Sequence, residues 1–187
     1  WGYGPNSRAM RTAKGWRVTG QWSFASGSRH STWLGAHCLA VDEAGNPLPG
    51  PNGKTWERTA LFRKSHAAIT DNWHVLGLRG TGSDTYAVRD LMVDDAFVLT
   101  RDLPAERRET GPLYRFQQMQ LYASGFACVA LGLARQTLDS FMAIANAKAP
   151  AQSTTLLRDN AAIQHIVGYA DARVKAARGS LLRLFRG

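Results

Sequence analysis

The hydrophobic period of this chain changes once, across Arg101–Pro112, and that single change constrains the fold more than any motif. Before it, apolar side chains alternate. In Trp16–Phe24, Trp16, Val18, Gly20, Trp22 and Phe24 fall on one side, and Arg17, Thr19, Gln21 and Ser23 on the other. Alternation of this kind is the signature of a half-buried strand. After the change, apolar residues step by three and four, which is the signature of an amphipathic helix. An α+β chain follows, with a β-domain over residues 1–105 and a helical domain over residues 112–187.

Within the first part, Thr32–Val41 is a continuous apolar run of strand length, expected to be buried on both faces. Asp42–Lys54 crowds Gly, Pro and Asn and reads as a hairpin connection or a long loop. Trp73–Gly80 and Asp84–Val93 read as two further strands. Short strands punctuated by turn residues predict a small antiparallel β-barrel or sandwich.

In the second part, Met119, Tyr122, Phe126, Val129 and Leu133 form a stripe that Leu131, Ala134, Leu138, Phe141 and Ala145 widen. This predicts a long helix from Leu113 to about Lys148. Pro150 ends it, and Ser153 or Thr154 is a candidate cap for the next helix. Ile163, Val167, Ala170, Val174, Ala177, Leu181 and Leu184 give that helix a heptad-like seam. Two long helices joined by a short connection pack antiparallel, as in an up-down bundle. Alone they leave one side bare, so more helices or another subunit are expected.

Composition excludes several functions. The chain has 187 residues, 44% of them hydrophobic, with no apolar run long enough to span a membrane, and no leader segment is expected. A cytoplasmic location is therefore the expectation, with no membrane partner. The net charge of +9 calls for an anionic partner. The Arg and Lys are scattered and do not interleave with aromatics, so a phosphate-bearing small ligand fits better than nucleic acid. Cys38 and Cys128 lie in apolar contexts and read as small core residues. The five histidines show no ligand spacing, so no metal site is expected. Phe24–Ser28 lacks the G-x-S-x-G spacing of a nucleophile elbow, and the four glutamates all fall in loop-like contexts.

Two stretches remain, Trp22–Ser28 (WSFASGS) and Gly77–Asp84 (GLRGTGSD). Both crowd glycine and hydroxyl residues where a strand would prefer bulk. The second is no P-loop, since it lacks the Gly-Lys-Ser/Thr ending. Its backbone N–H groups, the Thr81 and Ser83 hydroxyls and Arg79 suit an anion or a polar ring edge. A plain tight turn accounts for it equally well on these grounds.

The segments WRVTGQWSFASGSRHSTWL and WHVLGLRGTGSDTYAVRDLMV, followed by the two helices, resemble the acyl-CoA dehydrogenase superfamily. They are most like its flavin-dependent monooxygenase branch, the two-component aromatic hydroxylases. The resemblance covers nearly the whole chain and matches the middle β-domain plus the first part of the C-terminal helical domain. It implies a cofactor, FAD or FMN, with Phe24 packing on the flavin ring and Ala25 and Ser26 beside its polar edge. It further implies a cofactor or substrate loop drawn from Asn6, Ser7, Arg79, Thr81 and Ser83. Arg158 would reach flavin phosphate in a neighbouring subunit. Phe-Ala-Ser-Gly departs from the Trp-Ile-Thr usual in the dehydrogenases, and Val93-Asp94 departs from the family's Val-Pro.

The activity implied is that of a monooxygenase using reduced flavin and O2 on an aromatic or apolar small molecule, fed by a separate flavin reductase. The alternative is an acyl-CoA dehydrogenase performing FAD-linked α,β-desaturation. A non-catalytic oligomerisation or interaction module is the third reading. The resemblance favours a homo-oligomer, a tetramer, and a longer protein with a helical domain ahead of Trp1 and further helices beyond Gly187. No catalytic base is assigned.

Overall fold

The structure, a computed structural model, describes residues 2, 4–51, 53–101 and 103–185. It divides into two compact units, residues 1–110 and 111–187.

The first unit contains strands β1 (Arg8–Thr12), β2 (Gly15–Ala25), β3 (Trp33–Val41), β4 (Glu57–Arg63), β5 (Ala68–Thr70), β6 (Asp84–Val93) and β7 (Val98–Leu99). They form one sheet of seven strands in the order β5-β6-β2-β1-β3-β4-β7. All neighbours are antiparallel except β1 and β3, which run parallel, so the expected antiparallel barrel or sandwich is realised as a mixed sheet. β1, β4, β5 and β7 carry too little alternation to stand out in the sequence. The Asp42–Lys54 stretch does connect an antiparallel pair, with bridges at Val41–Pro47 and Pro49–Thr55.

The alternating face of β2 supplies the core. Trp16, Val18 and Trp22 are buried, alongside Leu34, Ala36, Cys38 and Ala40 of β3, Ala60 and Phe62 of β4, and Tyr86 and Val88 of β6. The sheet curls so that β2 and β6 pack over β3 and β4. Trp22 stacks on Tyr86 at 5.2 Å, and Phe62 meets Tyr86 edge-on at 6.3 Å. The polar tips of both large rings are satisfied by β3, since Trp22 Nε1 donates to the His37 carbonyl (3.0 Å) and the Tyr86 hydroxyl to the Gly35 carbonyl (2.5 Å). Burying side chains of this size contributes roughly 2–3 kcal/mol each. Gly20 has a steric reason to be glycine, because a Cβ there would sit 2.3 Å from Ser7 Oγ.

Trp73–Gly80, expected as a strand, is irregular and ends in a short 3-10 turn over Arg79–Thr81. The cause is local. β5 already pairs with Thr85–Ala87, and the next backbone N–H groups, of Asn72 and Trp73, turn to the Asp84 carboxylate (3.3 and 3.2 Å). A side chain thus replaces the ladder.

The second unit is two antiparallel helices, α1 (Gln118–Ala147) and α2 (Ala161–Leu184). Arg135 of α1 bonds Asp139 on its own helix (2.7 Å) and Asp171 on α2 (2.5 Å), and Lys175 completes the group at 2.7 Å from Asp171. Phe116 meets Phe185 at 5.1 Å at the other end.

α1 starts later than expected, because Pro112–Arg115 forms a 3-10 turn and Gln117 with Gln120 makes the capping box. α2 is capped by Asn160, whose Oδ1 accepts from the Ala162 and Ile163 N–H groups (3.0 and 3.3 Å), and not by Ser153 or Thr154. Asparagine is an equally good cap, and the intervening chain is tied back by the Leu157 N–H to the Lys148 carbonyl (2.9 Å). The half-buried α2 seam carries Ile163, Val167, Ala170, Val174 and Leu181.

On α1, Leu131, Ala134, Leu138, Phe141 and Ala145 take the less exposed side, while Met119, Phe126, Val129 and Leu133 are exposed. Helix α1 therefore has two apolar faces. Cys128, expected in a core, is exposed on this helix, whereas Cys38 is buried.

Candidate functional site

The two small-residue stretches, some fifty positions apart in sequence, lie against each other in the first unit. The Gly27 N–H donates to the Thr81 carbonyl (2.8 Å), and the Ser28 hydroxyl to the Gly82 carbonyl (3.3 Å). Ser26 Oγ lies 2.8 Å from Ser83 Oγ, which lies 2.7 Å from Thr81 Oγ1, and the Thr81 hydroxyl donates to the Leu78 carbonyl at 2.9 Å. A line of three hydroxyls therefore runs from Thr81 through buried Ser83 to exposed Ser26.

Phe24 stands beside that line. The β2–β6 register slips between Trp22 and Ala25, a bulge that places Ala25 in the core and Phe24 outside. The alternation that predicts Phe24 on the buried face fails at this point. Phe24 takes φ +56°, a left-handed conformation that costs a non-glycine residue about 1–2 kcal/mol, and its ring is 64% exposed. Backbone strain that lifts an aromatic ring into solvent contributes nothing to the core, and strain of this kind concentrates at functional sites. The Trp73 ring meets Phe24 edge-to-face at 6.0 Å.

What holds Trp73 there is an ion-pair hub. Asp84 is 1% exposed and accepts from Arg29 Nε (2.6 Å), Arg29 Nη2 (3.0 Å) and the Asn72 and Trp73 N–H groups. Arg29 also pairs with Asp71 at 2.6 Å. The guanidinium and the N–H donors keep the Asp84 carboxyl below the usual carboxylate range, and the carboxylates hold the Arg29 guanidinium above its own. Gly82 must lack a side chain, since it has φ +49° and a Cβ would press to 3.0 Å from the Arg29 stem.

Of the residues singled out from sequence, Phe24, Ala25, Ser26, Thr81 and Ser83 come together, and Arg79 is exposed on the adjacent turn. Among the described residues, no hydrogen bond joins Asn6 or Ser7 to this cluster. Ser7 is buried under Gly20, and Asn6 is exposed. Arg158 belongs to the second unit, in a 3-10 turn ahead of α2, half-exposed and 3.6 Å from Asp159. There it borders a cavity of about 200 Å³ with Phe141, Met142, Ala145, Ile163 and Val167.

Sequence reading missed Trp73, Arg29 and Asp84. Their signal is present, because each small-residue stretch ends in a charge of opposite sign, Ser28-Arg29 and Ser83-Asp84. Among the described residues no group of His, Cys, Asp or Glu could hold a metal ion, and no helix is long and apolar enough to cross a membrane.

The cluster suits a flat, partly polar ring. An exposed aromatic face offers packing, the exposed Ser26 hydroxyl offers a hydrogen bond, Gly27 lets the backbone approach closely, and the one nearby buried carboxylate is already consumed by Arg29.

Comparison with known proteins finds relatives along most of the chain. Residues 124–187 match the family described as acyl-CoA dehydrogenase, C-terminal domain. A pigment production hydroxylase of Rhodococcus erythropolis is 29% identical over 96% of this chain and 46% of its own length. The oxygenase component of an FADH2-dependent resorcinol hydroxylase of Rhizobium is 37% identical over 52% of this chain and 22% of its own length. The solved structure of XiaF from Streptomyces, in complex with FADH2 and glycerol, superposes with a TM-score of 0.78 at 25% identity, over 96% of this chain and 45% of that one.

The helical part of the chain thus resembles the acyl-CoA dehydrogenase C-terminal domain, and the fold as a whole resembles that of XiaF. Its relatives include oxygenase components of flavin-dependent monooxygenases, and it spans less than half the length of these relatives.

Proposed function

We propose that this chain is the flavin-binding β-domain and leading bundle helices of a flavin-dependent monooxygenase. It would act on an aromatic or similarly apolar small molecule with reduced FAD or FMN and O2, and receive its flavin from a separate reductase. The observation that carries this reading is the convergence of the strained, outward Phe24 with the Ser26–Ser83–Thr81 hydroxyl line.

Phe24 packs on a ring face, Ser26 bonds the ring's polar edge, and Gly27 allows the backbone close approach, while Ala25, buried in the core, anchors the bulge behind them and does not reach the ligand. Trp73 borders the ring, and exposed Arg79 biases the site toward a phosphate-bearing ligand. Bound reduced flavin supplies the electrons that activate O2. Arg158 is assigned to flavin phosphate of a neighbouring subunit. The exposed stripe of α1 (Met119, Phe126, Val129, Leu133) supports burial against further helices or copies in a homo-oligomer.

The test is product analysis on the complete protein, supplied with a flavin reductase, NADH and O2 against a panel of phenols and indoles. A hydroxylated product with matching O2 uptake is expected. Desaturation of an acyl-CoA with an electron acceptor, and no O2-dependent product, would move the chain to the dehydrogenase reading.

A further inference from the structure

The hydroxyl line has a fixed hydrogen-bond direction. Leu78 O, Thr81 Oγ1, Ser83 Oγ and Ser26 Oγ make successive contacts of 2.9, 2.7 and 2.8 Å. Oxygens this close need a hydrogen between them. The three hydroxyls carry one hydrogen each, and the carbonyl carries none. The hydrogen between Leu78 and Thr81 must therefore come from Thr81. Ser83 must then donate to Thr81, and Ser26 to Ser83. With its only hydrogen committed inward, exposed Ser26 presents lone pairs outward.

The carbonyl end is held firmly. Leu78 sits in the left-handed region at φ +57°, and its carbonyl also accepts from Trp73 Nε1 (3.0 Å) and the Thr81 N–H (3.2 Å). Ser83 is 4% exposed, so water does not reach the middle of the line freely to reverse it.

We propose that Thr81 is a positioning residue that sets this polarity, making Ser26 an obligate acceptor toward the bound ring and so favouring reduced over oxidised flavin. The inference rests on the reading that the Phe24–Ser26 edge faces a flavin. Reduction adds N–H groups to the central part of the ring, where oxidised flavin has only acceptor nitrogens. An acceptor at Ser26 matches the first and opposes the second. Thr81 itself lies two hydroxyls away from the ligand edge.

The experiment measures the dissociation constant of oxidised FAD and FMN by fluorescence and the midpoint potential of the bound flavin, on the complete protein. The comparison is among wild type, Thr81→Val and Thr81→Ser. Thr81→Val keeps the shape but leaves Ser83 free to donate to Ser26, and Ser26 free to donate outward. Gaining one hydrogen bond to oxidised flavin, while Ser26 still accepts from reduced flavin, should narrow the reduced-over-oxidised preference about five- to tenfold. The bound potential then falls by about 20–30 mV for a two-electron couple. Thr81→Ser restores the wild-type potential.

A Thr81→Val potential equal to wild type, or equal weakening of both redox forms, overturns the polarity proposal and leaves the flavin site standing. Absence of flavin binding by folded wild type in either state overturns the functional reading and this proposal together. Ser83→Ala is the second variant should Thr81→Val not fold. It frees the same Ser26 hydrogen, with the same expected fall in potential and the same overturning result.

Discussion

Ser26 and Ser83 stand 57 positions apart in sequence, and their hydroxyl oxygens lie 2.8 Å apart. That contact joins two stretches whose glycines and hydroxyls make no sense as core, and it gives them one role. Ser26→Ala removes the outer hydroxyl. The expected result is weaker flavin binding by about fivefold, corresponding to one hydrogen bond, with an unchanged melting temperature because Ser26 is exposed. Fluorescence titration alongside thermal melts checks both. A melting temperature that falls together with affinity would make the hydroxyl a structural group.

Phe24 should separate stability from binding in the opposite sense. Its φ of +56° is a conformation that glycine adopts freely. Its ring, 64% exposed, contributes little to the fold beyond the edge contact with Trp73. Phe24→Gly should relieve about 1 kcal/mol of backbone strain and so leave stability equal or slightly higher. Flavin affinity should fall about two- to tenfold through lost ring packing. Urea unfolding and flavin titration on one sample give the two signs.

The difference between Phe24 and its neighbours shows what sequence can and cannot report. Period two places Trp16, Val18 and Trp22 correctly, because their burial is set by the pleat alone. It fails at Phe24, because a bulge is a backbone event with no change in residue type to announce it. The Trp73–Gly80 stretch fails for a related reason, since its N–H groups are claimed by Asp84 from the next strand. On α1 both apolar rows are visible in the sequence, but which of them meets α2 depends on the partner and not on the row. The pairing of the two small-residue stretches is legible only as a resemblance to a known family. The Arg29–Asp84 hub that braces them goes unread, although opposite charges end both stretches.

That hub yields a prediction about Trp73. Arg29→Gln removes the ionic partner of buried Asp84, which then holds the Asn72 and Trp73 N–H groups less firmly. The Trp73 ring should lose its fixed place against Phe24. Indole next to a flavin quenches its emission, so bound oxidised flavin should become more fluorescent in Arg29→Gln, and equally so in Trp73→Phe. The Arg29→Gln/Trp73→Phe double variant should add nothing to either single change, the non-additivity expected of residues acting through one path. Additive increases would separate Arg29 from Trp73.

His37 sets an acid limit on stability. Burial on β3, with a smaller contribution from the positive charge of Arg101, lowers its pKa from 6.5 to about 4, and its Nδ1 lies 2.8 Å from Thr59 Oγ1. Below pH 6.5 the unfolded chain binds a proton at His37 that the folded chain refuses until about pH 4. The His37 contribution to stability should therefore be lost as pH drops through that window, by at most about 3 kcal/mol, and change no further beneath it. The Asp84 and Asp95 carboxylates, both held low by arginine partners, act in the same direction only below the ordinary carboxylate range. His37→Gln should flatten the slope between pH 6.5 and 4 while leaving the steeper loss below pH 4. A slope that persists in His37→Gln would place the proton uptake elsewhere.

Arg58 closes the end of the sheet remote from the hydroxyl line, and its removal should cost more than any change above. Its guanidinium lies 5.3 Å from the Trp16 ring centre and 4.7 Å from that of Trp56. It donates to the Val98 carbonyl (3.0 Å), to Thr100 Oγ1 (2.6 Å) and to Glu106 Oε1 (3.0 Å). Glu106 in turn accepts from the Thr100 N–H at 2.6 Å, so one side chain fastens β4, β7 and the turn at Pro104–Glu106. Arg58→Ala opens a gap between the indoles and strands these acceptors, for an expected loss of about 3–5 kcal/mol. Arg58→Met fills the gap with apolar volume and should lose about 1–3 kcal/mol, because the Glu106 side chain, 33% exposed, recovers solvation from water. Adding Glu106→Gln to Arg58→Met should then cost less than Glu106→Gln alone, since the charge it removes no longer has a partner. Urea unfolding of the four proteins measures the coupling. Strict additivity would mean that the two indoles, and not Glu106, account for what Arg58 contributes.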